Sequence, residues 1–172
     1  MKQIIEIIFS IFLNKKKIDK ESKSEKKNEW QLIDWSDPTA KVSKYFTVKE
    51  TLWLNSDKIM AVPSEDQKKA IWQMAQKMDI VREFIGKPCI VTSWLRPVEY
   101  NIKIGGSKNS KHVKGIATDF VVKNMDCELV RQALLPKLKE WNLRMEDNAH
   151  INGGNWIHLD MGKVKWKRFF KP

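Results

Sequence analysis

The chain holds 172 residues, 42 % of them apolar, including eight tryptophans and seven phenylalanines. This length suits one domain with a short extension, and this composition can bury a core, so a wholly disordered chain is excluded. A formal net charge of +11 implies an anionic partner but does not choose between nucleic acid, anionic lipid and the acidic polymers of a cell envelope.

Met1 to Leu13 is apolar, contains Glu6 and is followed by Lys15, Lys16 and Lys17. A secretory signal carries its basic residues before the apolar run and ends in a small-residue cleavage site, so no export signal is expected. The run is also too short to span a bilayer. Ile4, Ile5, Ile8, Ile11 and Phe12 recur at helical spacing, predicting a short amphipathic helix that packs on the domain or a partner, or touches a membrane surface. Asn14 to Glu29 is rich in Lys, Glu and Ser and reads as a solvated linker. Residues 1–29 are therefore expected to be an apolar segment plus charged linker, and residues 30–172 the folded domain. No internal repeat is visible.

Ser64 to Ile85 carries the clearest helix signal. Pro63 precedes Ser64, a good N-cap, with Gln67 three residues on as in a capping box. Ile71, Met74, Ala75, Met78, Val81 and Ile85 form one apolar stripe, and Gly86 and Pro88 end it. Cys89 to Ser93 and Ile116 to Val122 read as strands. Asp126 to Trp141 reads as a helix jogged at Pro136. Leu143 to Glu146 and Trp156 to Asp160 read as a last strand pair. The mixture predicts an α+β domain with a small, mostly antiparallel sheet flanked by helices. Cys89 and Cys127, the only cysteines, sit in apolar stretches and are expected to be core thiols.

The three histidines are His112, His150 and His158. His112 lies in Ser110-Lys-His-Val-Lys-Gly-Ile-Ala-Thr-Asp119, and Asp119 interrupts an apolar strand, where a carboxylate is costly unless paired or metal-bound. Alternation puts Ala117, Asp119 and Val121 on one face, and the small Ala117 leaves room beside Asp119. Gly115 permits a sharp turn from the His112 loop into the strand. His158 is again a polar residue in an apolar strand. Two imidazoles and one carboxylate, His112, Asp119 and His158, make a common zinc set that leaves a fourth position for water, which suits amide hydrolysis.

Thr92-Ser-Trp-Leu-Arg-Pro97, Asn101-Ile-Lys-Ile-Gly-Gly106, the stretch from Ser110 to Asp119, and Trp156-Ile-His158 resemble the zinc D-Ala-D-Ala carboxypeptidase and L-Ala-D-Glu endopeptidase family. That family includes phage endolysins and shares its fold with the Hedgehog signalling domain. The resemblance runs from about Phe46 to the C-terminus and is nearest to the phage-type branch, in which a YFTVKE-like start and an RMEDN…NWIHLD…FFKP-like end also occur. It implies one zinc ion on His112, Asp119 and His158. It further implies that Arg96 holds a substrate carboxylate or carbonyl and that Ser110 shapes the His112 loop, with Arg96, Ser110 and Trp156 touching substrate.

Several members place an acidic general base three residues before the last histidine, but this chain has Asn155 there. The phage-type branch places a glutamate on the preceding strand, which Glu146 matches. A hairpin pairing Glu146 with Trp156 and Arg144 with His158 puts Glu146 and His158 on one face and turns Asp147 away. Glu146 is read as the base; its bland alternative is a pair with Arg144 or a surface lysine. His150 is read as exposed rather than as a fourth group at the metal. Asp160 is either a partner orienting a ligating histidine or a strand-end cap. Trp141 is expected in the core, and Trp94 and Trp156 remain open between core and groove. Lys103, Lys108, Lys111 and Lys114 surround the His112 motif, and Lys163, Lys165, Lys167, Arg168 and Lys171 crowd the tail, suggesting attraction to an anionic cell-envelope surface.

The functional expectation is a zinc peptidase of peptidoglycan peptide stems, phage-type, monomeric, made in the cytoplasm and acting at the wall or periplasm. The alternative is a non-catalytic zinc-containing wall-binding or structural module of the same fold, which Asn155 keeps open. No nucleic-acid motif is present. The ligand set fits L-Ala-D-Glu, D-Ala-D-Ala and cross-bridge cleavage alike.

Overall fold

The computed structural model describes residues 28–147, 155–164 and 167–171. The N-terminal segment 1–13, the linker to residue 27, His150 and Lys165 lie outside the described residues. The chain divides into two compact units, Met1–Leu32 and Ile33–Pro172. In the first, the described residues form one 3-10 turn, Glu29–Gln31, with the Gln31 side chain accepting from Asn28 N at 2.7 Å.

The second unit begins with a short helix, α1 (Val48–Leu52). Thr47 and Glu50 close a reciprocal capping box there, with Thr47 N donating to Glu50 Oε2 at 2.8 Å. A two-stranded hairpin follows, β1 (Trp53–Leu54) and β2 (Ile59–Met60). Helix α2 (Glu65–Ile85) is capped by the expected Ser64–Gln67 box and ends at Gly86, whose φ of 69° is the left-handed geometry of a helix stop. Its buried face carries Ile71, Met74, Ala75, Met78 and Val81, as the periodicity predicts. Asp79 is buried too, because its carboxylate accepts from Ser43 Oγ, Lys44 N and Tyr45 N and pins the preceding loop to the helix.

Five strands make the main sheet: β3 (Cys89–Ser93), β4 (Ala117–Val122), β5 (Arg144–Glu146), β6 (Ile157–Asp160) and β7 (Phe169–Phe170), in spatial order β3-β4-β6-β5-β7. All neighbours are antiparallel except β5 and β7, which run parallel. The small, mostly antiparallel sheet of an α+β domain is therefore present. A one-and-a-half-turn helix, α3 (Val98–Lys103), and a longer one, α4 (Cys127–Leu134), complete the set.

Two expectations change. The helix read as Asp126 to Trp141 is regular only to Leu134 and continues as a 3-10 turn, Leu135–Lys137. Pro136 lacks an amide proton and its ring crowds the preceding turn, so it breaks the helix rather than jogging it. The final hairpin pairs Arg144 with Asp160 and Met145 with Leu159, two residues away from the expected register. A slip of two preserves the facing of every side chain, so Glu146 and His158 still share a face, now directly opposite each other. Strand β7 is absent from the sequence reading: two residues at a sheet edge carry too little alternation to be seen.

One contiguous core joins α2 to the sheet, with Phe46, Trp94, Phe120, Met145 and Leu159 fully enclosed. Cys89 and Cys127 are buried free thiols within it, and burial pushes the Cys89 thiol up to about 12. No described helix is long and apolar enough to cross a membrane. Gly115, at φ 72°, turns the chain from the His112 loop into β4, and a Cβ there would lie 2.9 Å from Ile71 Cγ1. Gly115→Ala is expected to cost at least about 1–2 kcal/mol from the left-handed backbone alone, read as a lower midpoint in denaturant with an unchanged slope.

Candidate metal centre

Strands β4 and β6 pair Asp119 with His158, so these two side chains leave the sheet side by side. His112 arrives from a 3-10 turn, His112–Lys114, held by Ser110 Oγ accepting from His112 N at 3.3 Å. His112, Asp119 and His158 are only 2 %, 5 % and 6 % exposed, and their donor atoms converge. His158 Nδ1 lies 2.7 Å from Asp119 Oδ1 and 3.2 Å from His112 Nε2, and His112 Nε2 lies 3.1 Å from the same Oδ1. Ligands about 2.0–2.1 Å from a tetrahedral zinc stand roughly 3.3 Å apart, so the donor set fits that ion after a small expansion.

The protein orients each ligand. His112 Nδ1 donates to the Trp94 carbonyl at 2.7 Å; a carbonyl only accepts, so Nε2 keeps its lone pair for the cluster. Trp94 itself belongs to the core, edge-to-face with Phe46 and with its indole N–H on the Gly115 carbonyl. Arg96 Nη2 donates to Asp119 Oδ2, and its Nε donates to Ser93 Oγ at 2.7 Å. This guanidinium therefore fixes the outer oxygen of Asp119 and leaves Oδ1 to the imidazoles. Asp160, with no side-chain exposure, accepts a bidentate pair from Arg144 and stands 3.4 Å from His158 Nε2.

Burial disfavours charge throughout the cluster, yet the opposite charges outweigh it at two members. His112 is lowered by burial, against the pull of Asp119. Asp119 is held below the usual carboxylate range by His112 and His158 in spite of burial. His158, also opposed by burial, is raised to about 10 by its bonds to Asp119 and Asp160. A cation held by His112, Asp119 and His158 would compete with a proton for His158, so its binding would release protons.

The cluster forms the floor of an open cleft of about 440 Å³. Arg96, Ser110, Trp156 and Glu146 line it, as do Arg144, Lys111 and Phe170. The Glu146 carboxylate is 3.9 Å from His158 Nε2 and has no lysine or arginine partner among the described residues, because Arg144 is taken by Asp160. Burial, aided by Asp119 and Asp160, raises its pKa above the ordinary carboxylate value. Asn155 does not line the cleft: its carbonyl oxygens accept from Arg131 and Cys127. Trp141 is buried at the margin of the core, edge-to-face with the exposed Phe84. Of the lysines around the motif, Lys103 is paired with Asp57, Lys108 and Lys114 are exposed, and Lys111 reaches the cleft.

The sequence reading missed Arg144 as an anchor, Phe170 as a cleft wall and the Trp94 carbonyl as an orienting acceptor. For Arg144 a signal existed, two residues from Glu146 on the same face. For a backbone carbonyl none exists.

Two buried imidazoles and one carboxylate opening on a cleft, with a second carboxylate beside them, have the donor pattern of a metal-dependent hydrolase. The chain belongs to the peptidase M15 family, whose sequence pattern matches residues 44–160. It is thus a metallopeptidase of a zinc-dependent family, with a buried His112-Asp119-His158 group that can bind a metal ion. No curated protein matches the chain.

Proposed function

We propose that the protein hydrolyses peptide bonds in the stems of bacterial peptidoglycan, with one zinc ion held by His112, Asp119 and His158. The observation that carries this reading is Glu146, a carboxylate of raised pKa in the cleft, facing His158 at 3.9 Å beside the three converging donors and with no lysine or arginine partner among the described residues. Zinc in such a site supplies Lewis acidity toward a carbonyl oxygen and lowers the pKa of a bound water. Glu146 takes the proton of the attacking water and returns it to the leaving amine; its raised pKa brings it nearer the operating pH. Arg96 has at least two of its five donors spent on Ser93 and Asp119, so its main task is to hold Asp119, with the remainder available to a substrate carbonyl. Ser110, Trp156 and Lys111 offer polar, apolar and cationic contacts along the cleft wall.

The position of Asn155 outside the cleft supports the catalytic reading over the non-catalytic alternative, since a base drawn from Glu146 does not need that position. The likeness to the phage-type branch supports a lytic enzyme made in the cytoplasm that acts at the wall as a monomer. The basic balance of the chain favours its approach to an anionic envelope surface, and residues 1–13 are suited to touch a membrane surface.

The test is digestion of isolated sacculi with zinc, with chelator and with zinc restored, followed by mass spectrometry of new termini. Zinc-dependent appearance of one defined amino terminus is expected, and it names the bond. Intact sacculi in the presence of a folded, zinc-loaded protein would sink the reading.

A further inference from the structure

We propose that Arg144 is a positioning residue for the metal centre: by locking the carboxylate of Asp160 it sets the ring orientation of His158 and aims His158 Nδ1 at the other two donors. This rests on reading the His112-Asp119-His158 cluster as a metal site.

Asp160 follows His158 by two residues on β6 and so shares its face of the sheet. Its carboxylate is held by three donors: Arg144 Nε on Oδ1 at 2.8 Å, Arg144 Nη2 on Oδ2 at 2.8 Å and Gly162 N on Oδ1 at 2.5 Å. Thus fixed, Oδ2 faces His158 Nε2 at 3.4 Å. An imidazole can sit either way round about its Cβ–Cγ bond. Only the orientation with Nε2 toward Asp160 brings Nδ1 within 2.7 Å of Asp119 Oδ1 and 3.2 Å of His112 Nε2. A carboxylate at Nε2 keeps the ring proton there and leaves the Nδ1 lone pair for a metal.

The clamp draws on separate stretches of chain. Strand β7 lays the Phe170 ring against Arg144, 4.5 Å from Cζ to centroid, and so keeps the guanidinium plane over the cleft wall. Gly162 leaves the space: a Cβ there would lie 2.7 Å from both Arg144 Nη2 and Asp160 Oδ1. The Arg144 side chain is only 14 % exposed and that of Asp160 not at all, hence the pair is not a solvent-screened surface contact. A parallel two-bond grip on a carboxylate needs the planar fork of arginine; a lysine keeps the charge and loses the grip.

The test is Arg144→Lys, with zinc affinity measured by competition against a chromophoric chelator. Visible d–d bands of the cobalt-loaded protein and thermal melts in chelator accompany it. Zinc binding is expected to weaken by about ten- to a hundredfold, the typical cost of losing a group that orients a ligand, with altered cobalt bands and a chelated melting point close to that of the parent. Unchanged affinity and cobalt bands overturn the proposal. So does a lowered melting point with unchanged zinc affinity of the folded protein, because the pair is then structural only. If Arg144→Lys does not fold, Arg144→Met combined with Asp160→Leu removes both charges together; weakened zinc binding is again expected, and parental affinity again overturns the idea. A parent protein that binds no zinc removes the metal reading and this inference with it, whereas one that binds zinc but leaves sacculi intact removes only the proposed substrate.

Discussion

Glu146→Gln is expected to slow peptidoglycan cleavage by at least about a hundredfold, the lower bound for loss of a positioned general base, while zinc stays bound. The amide is nearly isosteric and cannot take a proton from water at neutral pH. Glu146 faces His158 at 3.9 Å but is not one of the three converging donors, so the metal ligands remain intact. The substitution also removes a partly buried carboxylate whose pKa burial already raises, so the fold loses little. Turnover on sacculi and zinc content by metal analysis check both halves. Near-parental turnover would assign the base elsewhere; lost zinc would make Glu146 a ligand or a structural support.

Asp119→Ala is expected to abolish zinc stabilisation and to weaken the metal-free fold as well. In the parent, zinc at about a thousand times its dissociation constant adds ~4 kcal/mol, which is roughly 8–16 °C in melting temperature for a domain of this size. The variant loses the only carboxylate of the cluster and so this increment. In chelator a second deficit remains, because Arg96 and His158 both lean on Asp119. Removing one partner of a buried pair costs about 3–5 kcal/mol, and the partial exposure of Arg96 places the expectation at the lower end. Four melts, parent and variant with zinc and with chelator, separate the two terms. A variant that still gains from zinc would show that Asp119 is not a ligand.

The legible parts of the molecule are those in which one short stretch of chain contains its own reason. Helix α2 announces itself through a cap, a stripe and a stop, and each is met in the structure. Asp119 and His158 stand out because polar residues inside apolar strands need an explanation, and alternation assigns their faces. That alternation also survived the mistaken hairpin register: the period of two makes a slip of two harmless to facing, although it moves Asp160 opposite Arg144 and His158 opposite Glu146.

By itself, then, the sequence determined the α+β class, the main helix and the three candidate ligands, since composition, period and motif spacing are local properties, whereas Glu146 came forward only through the family resemblance. Tertiary structure alone decided what each polar group is spent on. Arg96, expected at a substrate, also holds Asp119; Asp160 could cap a strand or serve His158, and it stands between Arg144 and His158. Asn155 turned out to belong to Arg131 rather than to the cleft. The physical reason is that a hydrogen-bond donor chooses among acceptors by distance and direction, and residues 16 to 39 positions apart become neighbours only when the sheet has formed.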